Sequence, residues 1–548
     1  MAADALLPAV VMVPFGGALI AFALGGRWTR LTAYATIATG TAIAACIARA
    51  SLADGQTLVY HVGGWHPPLG LALTANALAA AMIAGVAVVV CGIAVFAHRD
   101  FGQPHAVREA RAPLVFWPLL LAVWGALDLA FVSNDLFTLY VALELLTFGG
   151  VPLVCLDGRA ETLRAALRYA LFALTGSILY LAGCVMLYGA YGTLDITLLG
   201  ARVRPGVVAW TATTMMTAGL LAKTALFPLH LWLPPAHAGA PAAASAALSA
   251  LVIKGSWFVV VRVWYDAMAS AVTFASAQVL AALGAAAIVF ASVTALRQPR
   301  LKLLVAYSTL AQIGYLFLMF PLAFDATGSA IMHGAALQGG VLQALSHATA
   351  KAAMFMAAGL VYAALGHDRI ADLGGVARAM PVTTATFALS GIALMGVLPS
   401  GAYVAKKLML DAADASGQWW WGVVLKGGAA FTAGYVIHVL YRALRPNTNV
   451  SVAPVPRASE LAALGLAIAS FLLAFAGTTA IGTFDLGGTL VAVGGGALLA
   501  IFVASKGSRV PGVALCGDLD RALRRWTPAS LFLLLLATAF GVALKAGH

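Results

Sequence analysis

Charge is what this chain has least of. Asp, Glu, Lys and Arg make up 9% of its 548 residues, whereas a soluble domain carries roughly a quarter. That scarcity excludes a water-facing surface over most of the chain. With 62% hydrophobic residues and a mean hydropathy of +0.95, the main solvent must be lipid. Cysteine is scarce as well. Cys46, Cys91, Cys155, Cys184 and Cys516 are scattered, with no C-x-x-C pair and no metal spacing, which excludes a cysteine-held metal or cluster. There is no glycine-rich dinucleotide fingerprint, no phosphate loop and no facing histidine pair suited to haem. Gly494, Gly495 and Gly496 fall in an apolar run, where close helix packing is their role. No cofactor and no metal is expected. Residues 1–25 lack a basic leader and a small-residue cleavage site and read as a first membrane span.

The formal net charge is nevertheless +12 at pH 7, and its placement says more than its size. Apolar runs of membrane length recur about sixteen times. They cover 5–25, 31–50, 70–97, 113–132, 135–156, 164–190, 207–226, 242–261, 272–296, 304–322, 335–365, 382–410, 419–441, 459–480, 488–505 and 529–546. Of the 32 lysines and arginines, 21 fall in alternate loops, from Arg27 and Arg30 to Arg524 and Arg525, and 5 fall on the opposite side. By the positive-inside rule the rich side is cytoplasmic and both termini lie outside. The basic charge is thus a topology signal and implies no nucleic acid. The expected fold is an all-α polytopic protein in a bacterial-type cell membrane.

Six lysines remain inside the apolar runs: Lys223, Lys254, Lys351, Lys406, Lys407 and Lys426. A charge at the bilayer centre costs at least about 2.5–3.5 kcal/mol. Lys407, near the outer end of its span, reads as snorkelling to the interface, whereas Lys426, a turn or two from an end, is open between snorkelling and a place in the set. Lys223, Lys254 and Lys351 lie too deep. Glu144 joins them in "DLFTLYVALELL", and Asp128, near the end of the preceding span, reads as structural. His347 precedes Lys351 by four residues, so the two share a helix face. A set this large must line a bundle interior or a wet cavity.

Two of these lysines adjoin helix-breaking sequence. Lys223 is followed by Phe227-Pro228 and Pro234-Pro235, and Lys406 is preceded by Pro399 to Tyr403. Unwound backbone at membrane depth survives only where protein or water satisfies it, and broken helices with midplane polar groups are how ion pathways are built. Spans 4–8 and 9–13 each hold five helices. An odd number per copy forces the second copy to be inverted, so two inverted five-helix repeats are expected, with helices 7 and 12 broken. The chain then divides into 1–112 (helices 1–3), 113–262 (helices 4–8), 272–445 (helices 9–13) and 459–548 (helices 14–16).

Several motifs occur together in order: "GGWHPPLGLAL", "NDLFTLYVALELL", "AKTALFPLHLWLPPAHAGAP", "RQPRLKLLVAYSTLAQIGY", "SHATAKAAMFMAAG" and "GVLPSGAYVAKKLML". On these, from about residue 64 to 445, the sequence resembles the antiporter-like, proton-conducting subunits of respiratory complex I, shared with Mrp-type sodium/proton antiporters and membrane-bound hydrogenases. The resemblance implies a proton relay through Glu144, Lys223, Lys254, His347, Lys351 and Lys406, with Glu144 as the gate and Lys406 at the exit. Two positions depart from the family's habit: Asn76 stands where aspartate is common and Gly239 where glutamate is. The long lateral amphipathic helix of the largest complex I subunit is missing, and two ordinary spans follow the core.

The implied chemistry is physically reasonable. At about 4 Å and an effective dielectric of about 20, a Glu–Lys pair is worth about 4 kcal/mol. Opening it changes the lysine's hold on its proton by about three powers of ten. Arginine could not serve, because it stays charged. Moving one charge against 100 mV takes about 2.3 kcal/mol, and the chain has no redox or nucleotide site to supply it. Expected partners are therefore other membrane subunits and a peripheral redox or catalytic subunit. A Na+/H+ antiporter subunit, or a proton-flux-coupled partner of an inorganic-carbon uptake complex, are the alternatives. Membership of an enzyme such as an NADH:quinone oxidoreductase-like or hydrogenase-like complex stays open. An idle membrane anchor would have no use for these charges.

Overall fold

Helix follows helix wherever an apolar run lets the backbone satisfy its own hydrogen bonds, as lipid demands. The computed structural model describes residues 3–102, 111–332, 334–447, 450–475, 486–506 and 511–527, with 530, 533, 534 and 537 beyond them. In chain order the helices are α1 Leu6–Leu24, α2 Gly26–Ala48, α3 Ala77–Ala97, α4 Arg111–Val132, α5 Leu136–Val154, α6 Ala160–Tyr191, α7 Ile196–Arg202, α8 Val207–Thr224, α9 Leu233–Gly239, α10 Ala242–Ala247 and α11 Ile253–Arg262. They continue as α12 Phe274–Leu296, α13 Leu301–Leu322, α14 Ala335–Leu365, α15 Val376–Ala379, α16 Pro381–Met395, α17 Gly401–Ala415, α18 Trp419–Leu444, α19 Arg457–Leu472, α20 Leu486–Lys506 and α21 Pro511–Leu523. Among the described residues, twelve helices are long and apolar enough to cross a membrane. The protein is thus a mostly helical, polytopic membrane protein. Most of the last expected span, 529–546, lies outside the described residues.

Two segments depart from the sequence expectation. Residues Leu58–His61 (β1) pair antiparallel with Ala72–Ala75 (β2), Leu58 opposite Ala75. The apolar and aromatic run Leu58-Val59-Tyr60 favours a strand. Gly63, Gly64, Pro67 and Pro68 between the strands cannot continue a helix. The basic stretch 506–525, expected as a loop, contains α21. That helix is pinned by Arg297, which donates to the Val513 carbonyl (2.7 Å), by Tyr307, whose hydroxyl donates to Asp520 (3.0 Å), and by Arg524, which donates to Tyr307 (2.7 Å).

The chain divides into two compact units. The first comprises Met1–Thr224, Leu251–Val272 and Trp526–His548; the second comprises Ala225–Ala250 and Thr273–Arg525. In the first unit α6 meets α8 through two glycines: a Cβ on Gly176 would come within 2.5 Å of the Gly219 carbonyl oxygen. The end of α11 is fixed by buried Arg262, which donates to Asn134 Oδ1 (2.9 Å), and Asn134 in turn donates to Asp195 (2.9 Å). The next residue, Asp135, caps α5 by accepting from the Thr138 amide (2.7 Å), so the helix bearing Glu144 starts from a braced position. In the second unit α12 meets α13 the same way, with Gly284 against the Gly314 carbonyl. Helices α13, α16, α17 and α19 all pack on α14. Asn76 caps α3 by accepting from the Ala79 amide (3.0 Å). Asparagine and aspartate cap about equally well, so this departure from the family's habit leaves the cap intact.

Candidate functional site

In the first unit the site forms around Lys223, in the last turn of α8. Ala225, two residues on, has φ +60°, a left-handed backbone that costs a non-glycine residue about 1–2 kcal/mol. The helix stops there, and no regular helix resumes until α9. The Lys223 ammonium has three protons and three acceptors: Glu144 Oε1 at 3.1 Å, Thr147 Oγ1 at 2.8 Å and the Leu143 carbonyl at 3.2 Å. Glu144 also accepts from the Ser177 hydroxyl of α6. The Lys223 and Glu144 side chains are 5% and 13% exposed, so most of their charge interaction is unscreened.

A cavity of about 10 Å³ lies against Lys223, with Thr147, Tyr169 and Ser256 among its walls. It is near the smallest size that holds one water. Ser256 also accepts from the Thr224 hydroxyl (3.1 Å). Val252 and Ser256 both line the cavity, so the segment carrying Lys254 flanks it on both sides in sequence. Lys254 itself is 1% exposed and follows a π-helical turn, Leu248–Val252, a feature frequent at functional sites. Asp128 in α4 is wholly buried, and neither carboxyl oxygen accepts a hydrogen bond among the described residues.

In the second unit α14 carries His347 and Lys351, both fully buried. Lys351 donates to the Ser308 hydroxyl and to the Val305 carbonyl (3.4 Å), with Met354 Sδ at 3.8 Å. Lys406 donates to the Met395 and Leu394 carbonyls (2.8 and 3.3 Å) and sits 4.6 Å above the Tyr315 ring. Among the described residues neither lysine has a carboxylate in salt-bridge range. Their counter-charge is dipolar. At Lys406 it is the carbonyl end of the half-helix α16, which carries about −0.5 charge, with the aromatic face of Tyr315 beside it; at Lys351 it is the Ser308 hydroxyl and the Val305 carbonyl.

The break that creates this arrangement is local chemistry. Gly396 ends α16 with φ +77°, and Ser400 caps α17 by accepting from the Tyr403 amide (3.2 Å). A Cβ on Gly396 would stand 2.8 Å from Lys406 Cδ. Gly396→Ala is therefore expected to lower stability in a thermal-unfolding measurement by at least the roughly 1–2 kcal/mol of left-handed strain. Gly427→Ala, at an exposed helical position with open space around it, should be neutral or stabilising.

The structure therefore joins Glu144 to Lys223, places the Lys254 segment on their cavity, sets His347 and Lys351 on one helix, and puts Lys406 at the second break. Lys407 is half-buried and Lys426 exposed. Some residues escaped the sequence reading. Lys302, counted with the loops, is buried and donates to the Ala240 carbonyl. His230 and His237 are buried in and after the first break, with ring centroids 5.6 Å from Phe227 and 4.6 Å from Phe355. Two histidines in "HLWLPPAH", beside Lys223, were the available signal.

Residues 133–432 match the family described as NADH:quinone oxidoreductase/Mrp antiporter, transmembrane. An NADH-quinone oxidoreductase subunit from Desulforudis audaxviator is 33% identical over 411 residues, 73% of this chain and 79% of that protein. A Na(+)/H(+) antiporter subunit from Bacillus subtilis is 28% identical over 393 residues, 71% and 76% of the two. A chain of the Mrp complex from Dietzia shares the fold, with a TM-score of 0.76 over 96% of this chain and 100% of that one, at 21% identity. On its sequence and its fold, the chain belongs to the transmembrane family of NADH:quinone oxidoreductase and Mrp antiporter subunits.

Proposed function

We propose that the chain is a proton-translocating membrane subunit of a larger assembly. One observation carries this reading: a fully satisfied Lys223–Glu144 pair beside a cavity of about 10 Å³. Breaking that pair frees the ammonium to pass a proton to a water, and the Lys254 segment borders the same space. Glu144 acts as the gate and Lys254 as the acceptor. In the second unit His347, Lys351 and Lys406 carry the proton onward, with Lys406 at the exit. Lysines along the path repel sodium ions, which favours protons as the cargo.

The sixteen-span arrangement is part of the same reading, with inverted repeats at 113–262 and 272–445 flanked by 1–112 and 459–548. So is the orientation that puts the arginine-rich loops in the cytoplasm and both termini outside. The relatives named above are subunits of an oxidoreductase and an antiporter. Partner membrane subunits, with a peripheral redox or catalytic subunit to supply the driving force, are accordingly proposed here.

The test is to purify the native assembly, identify its partners, reconstitute it and follow a pH dye trapped in the vesicles. Lys223→Ala should abolish coupled proton flux; flux equal to the parent would leave only a membrane anchor. A milder change probes the gate. Ser177→Ala removes a hydrogen bond to a charged group worth about 1.5–3 kcal/mol, and is expected to slow flux measurably without unfolding the chain.

A further inference from the structure

We propose that a basic cavity in the second unit binds the phosphate of an anionic glycerophospholipid headgroup. The inference does not depend on the proton relay. The cavity measures about 710 Å³ and is built where α12, α14 and α18 end. Arg297, Arg300, Arg369 and Arg442 line it, with His367 and His438, against a single acid, Asp368.

Two of the four arginines are already engaged. Arg300 pairs with Asp368 (2.9 Å), and Arg297 donates to the Val513 carbonyl. Arg369 and Arg442 have no side-chain partner among the described residues, yet both face the cavity. Three helix C-termini contribute roughly half a negative charge each, confined to the last turn. They explain some of this basic charge but satisfy no guanidinium. Phosphate does, because its oxygens accept paired N–H groups from arginine.

The frame is rigid. The Leu301 amide donates to the Asp368 carbonyl (2.7 Å) and the Ile370 amide to the Pro299 carbonyl (2.9 Å), stitching the two loops together. The volume far exceeds a phosphate ion, and Leu296, Tyr362 and Ile370 supply apolar wall beside the arginines. That combination suits a phosphodiester carrying glycerol and the start of acyl chains. The cavity also belongs to the arginine-rich loops assigned above to the cytoplasmic face, where basic pockets at helix ends meet anionic lipid.

Equilibrium binding of dioctanoyl phosphatidylglycerol, dioctanoyl phosphatidylcholine and inorganic phosphate to the purified native assembly tests this. Phosphatidylglycerol should bind at least tenfold more tightly than phosphatidylcholine. Each arginine near an anionic headgroup contributes about 1 kcal/mol, or about fivefold. The double variant Arg369→Gln/Arg442→Gln should therefore weaken phosphatidylglycerol about 25-fold, and weaken phosphatidylcholine, whose choline offsets the phosphate charge, by clearly less. If the double variant does not fold, Arg369→Gln alone, at an exposed side chain, should show the fivefold step. Equal phosphatidylglycerol binding by parent and variant would overturn the assignment. So would inorganic phosphate binding as tightly as the lipid, which would make this a small-anion site.

Discussion

Lys223→Arg is expected to cut proton flux through the reconstituted assembly by about two to three orders of magnitude, even though the positive charge is kept. Free arginine holds its proton about three powers of ten more tightly than free lysine. A guanidinium could still pair with Glu144, so the fold's electrostatics would be largely preserved while proton release would not. A purely structural ion pair would tolerate arginine, and flux near the parent's would show that Lys223 never gives up its proton. The readout is the trapped pH dye, at a fixed imposed gradient.

Lys351→Met should produce an unusual pair of changes: more stability and no flux. Lys351 is buried with a hydroxyl, a carbonyl and a thioether around its amine and no acid among the described residues. Burying a charged group without a counter-ion costs several kcal/mol, whereas methionine fills similar space with no charge to desolvate. The lost hydrogen bond from the charged amine to Ser308 costs about 1.5–3 kcal/mol, less than the several kcal/mol of desolvation, which leaves a net gain. Lys223→Met should go the other way. It strands Glu144, and removing one partner of a buried pair costs about 3–5 kcal/mol. Flux should fall in both variants, while thermal unfolding should move up for one and down for the other. This opposition reports a real difference between the units: one lysine is balanced by a carboxylate and the other by dipoles. If Lys351→Met left flux intact, the second unit's lysines would have no part in transport.

Much of this was legible in the residues. The run 335–365 coincides with α14, because a long apolar stretch ends where Gly366 takes φ +75°. Lys223 and Glu144 could be paired through the family resemblance, and proline and glycine marked both breaks. What could not be read were contacts between residues far apart in the chain. Ser177 reaches Glu144 across 33 positions, and no local pattern encodes that. Lys302 looked like a loop charge because it follows Arg297 and Arg300, yet α13 begins at Leu301 and carries it inward. Ala225 adopts a glycine-like backbone without being glycine, so Phe227-Pro228 marked the first break while nothing marked that α8 stops at Thr224. The run 70–97 read as helix throughout, yet its first residues form β2 and α3 begins only at Ala77, because the apolar pattern alone does not separate a short strand from the start of a span; β1 and α21 lie outside the long apolar runs, where membrane-span periodicity has nothing to say.

The central claim is that these buried amines are in contact with water. An experimental density map of the native assembly, fine enough to place ordered water, tests it most directly. The account predicts a water against Lys223, bounded by Thr147, Tyr169 and Ser256, and further waters within hydrogen-bond reach of Lys351 and Lys406. Dry aliphatic packing around all three amines, with no water in reach of any, would contradict it.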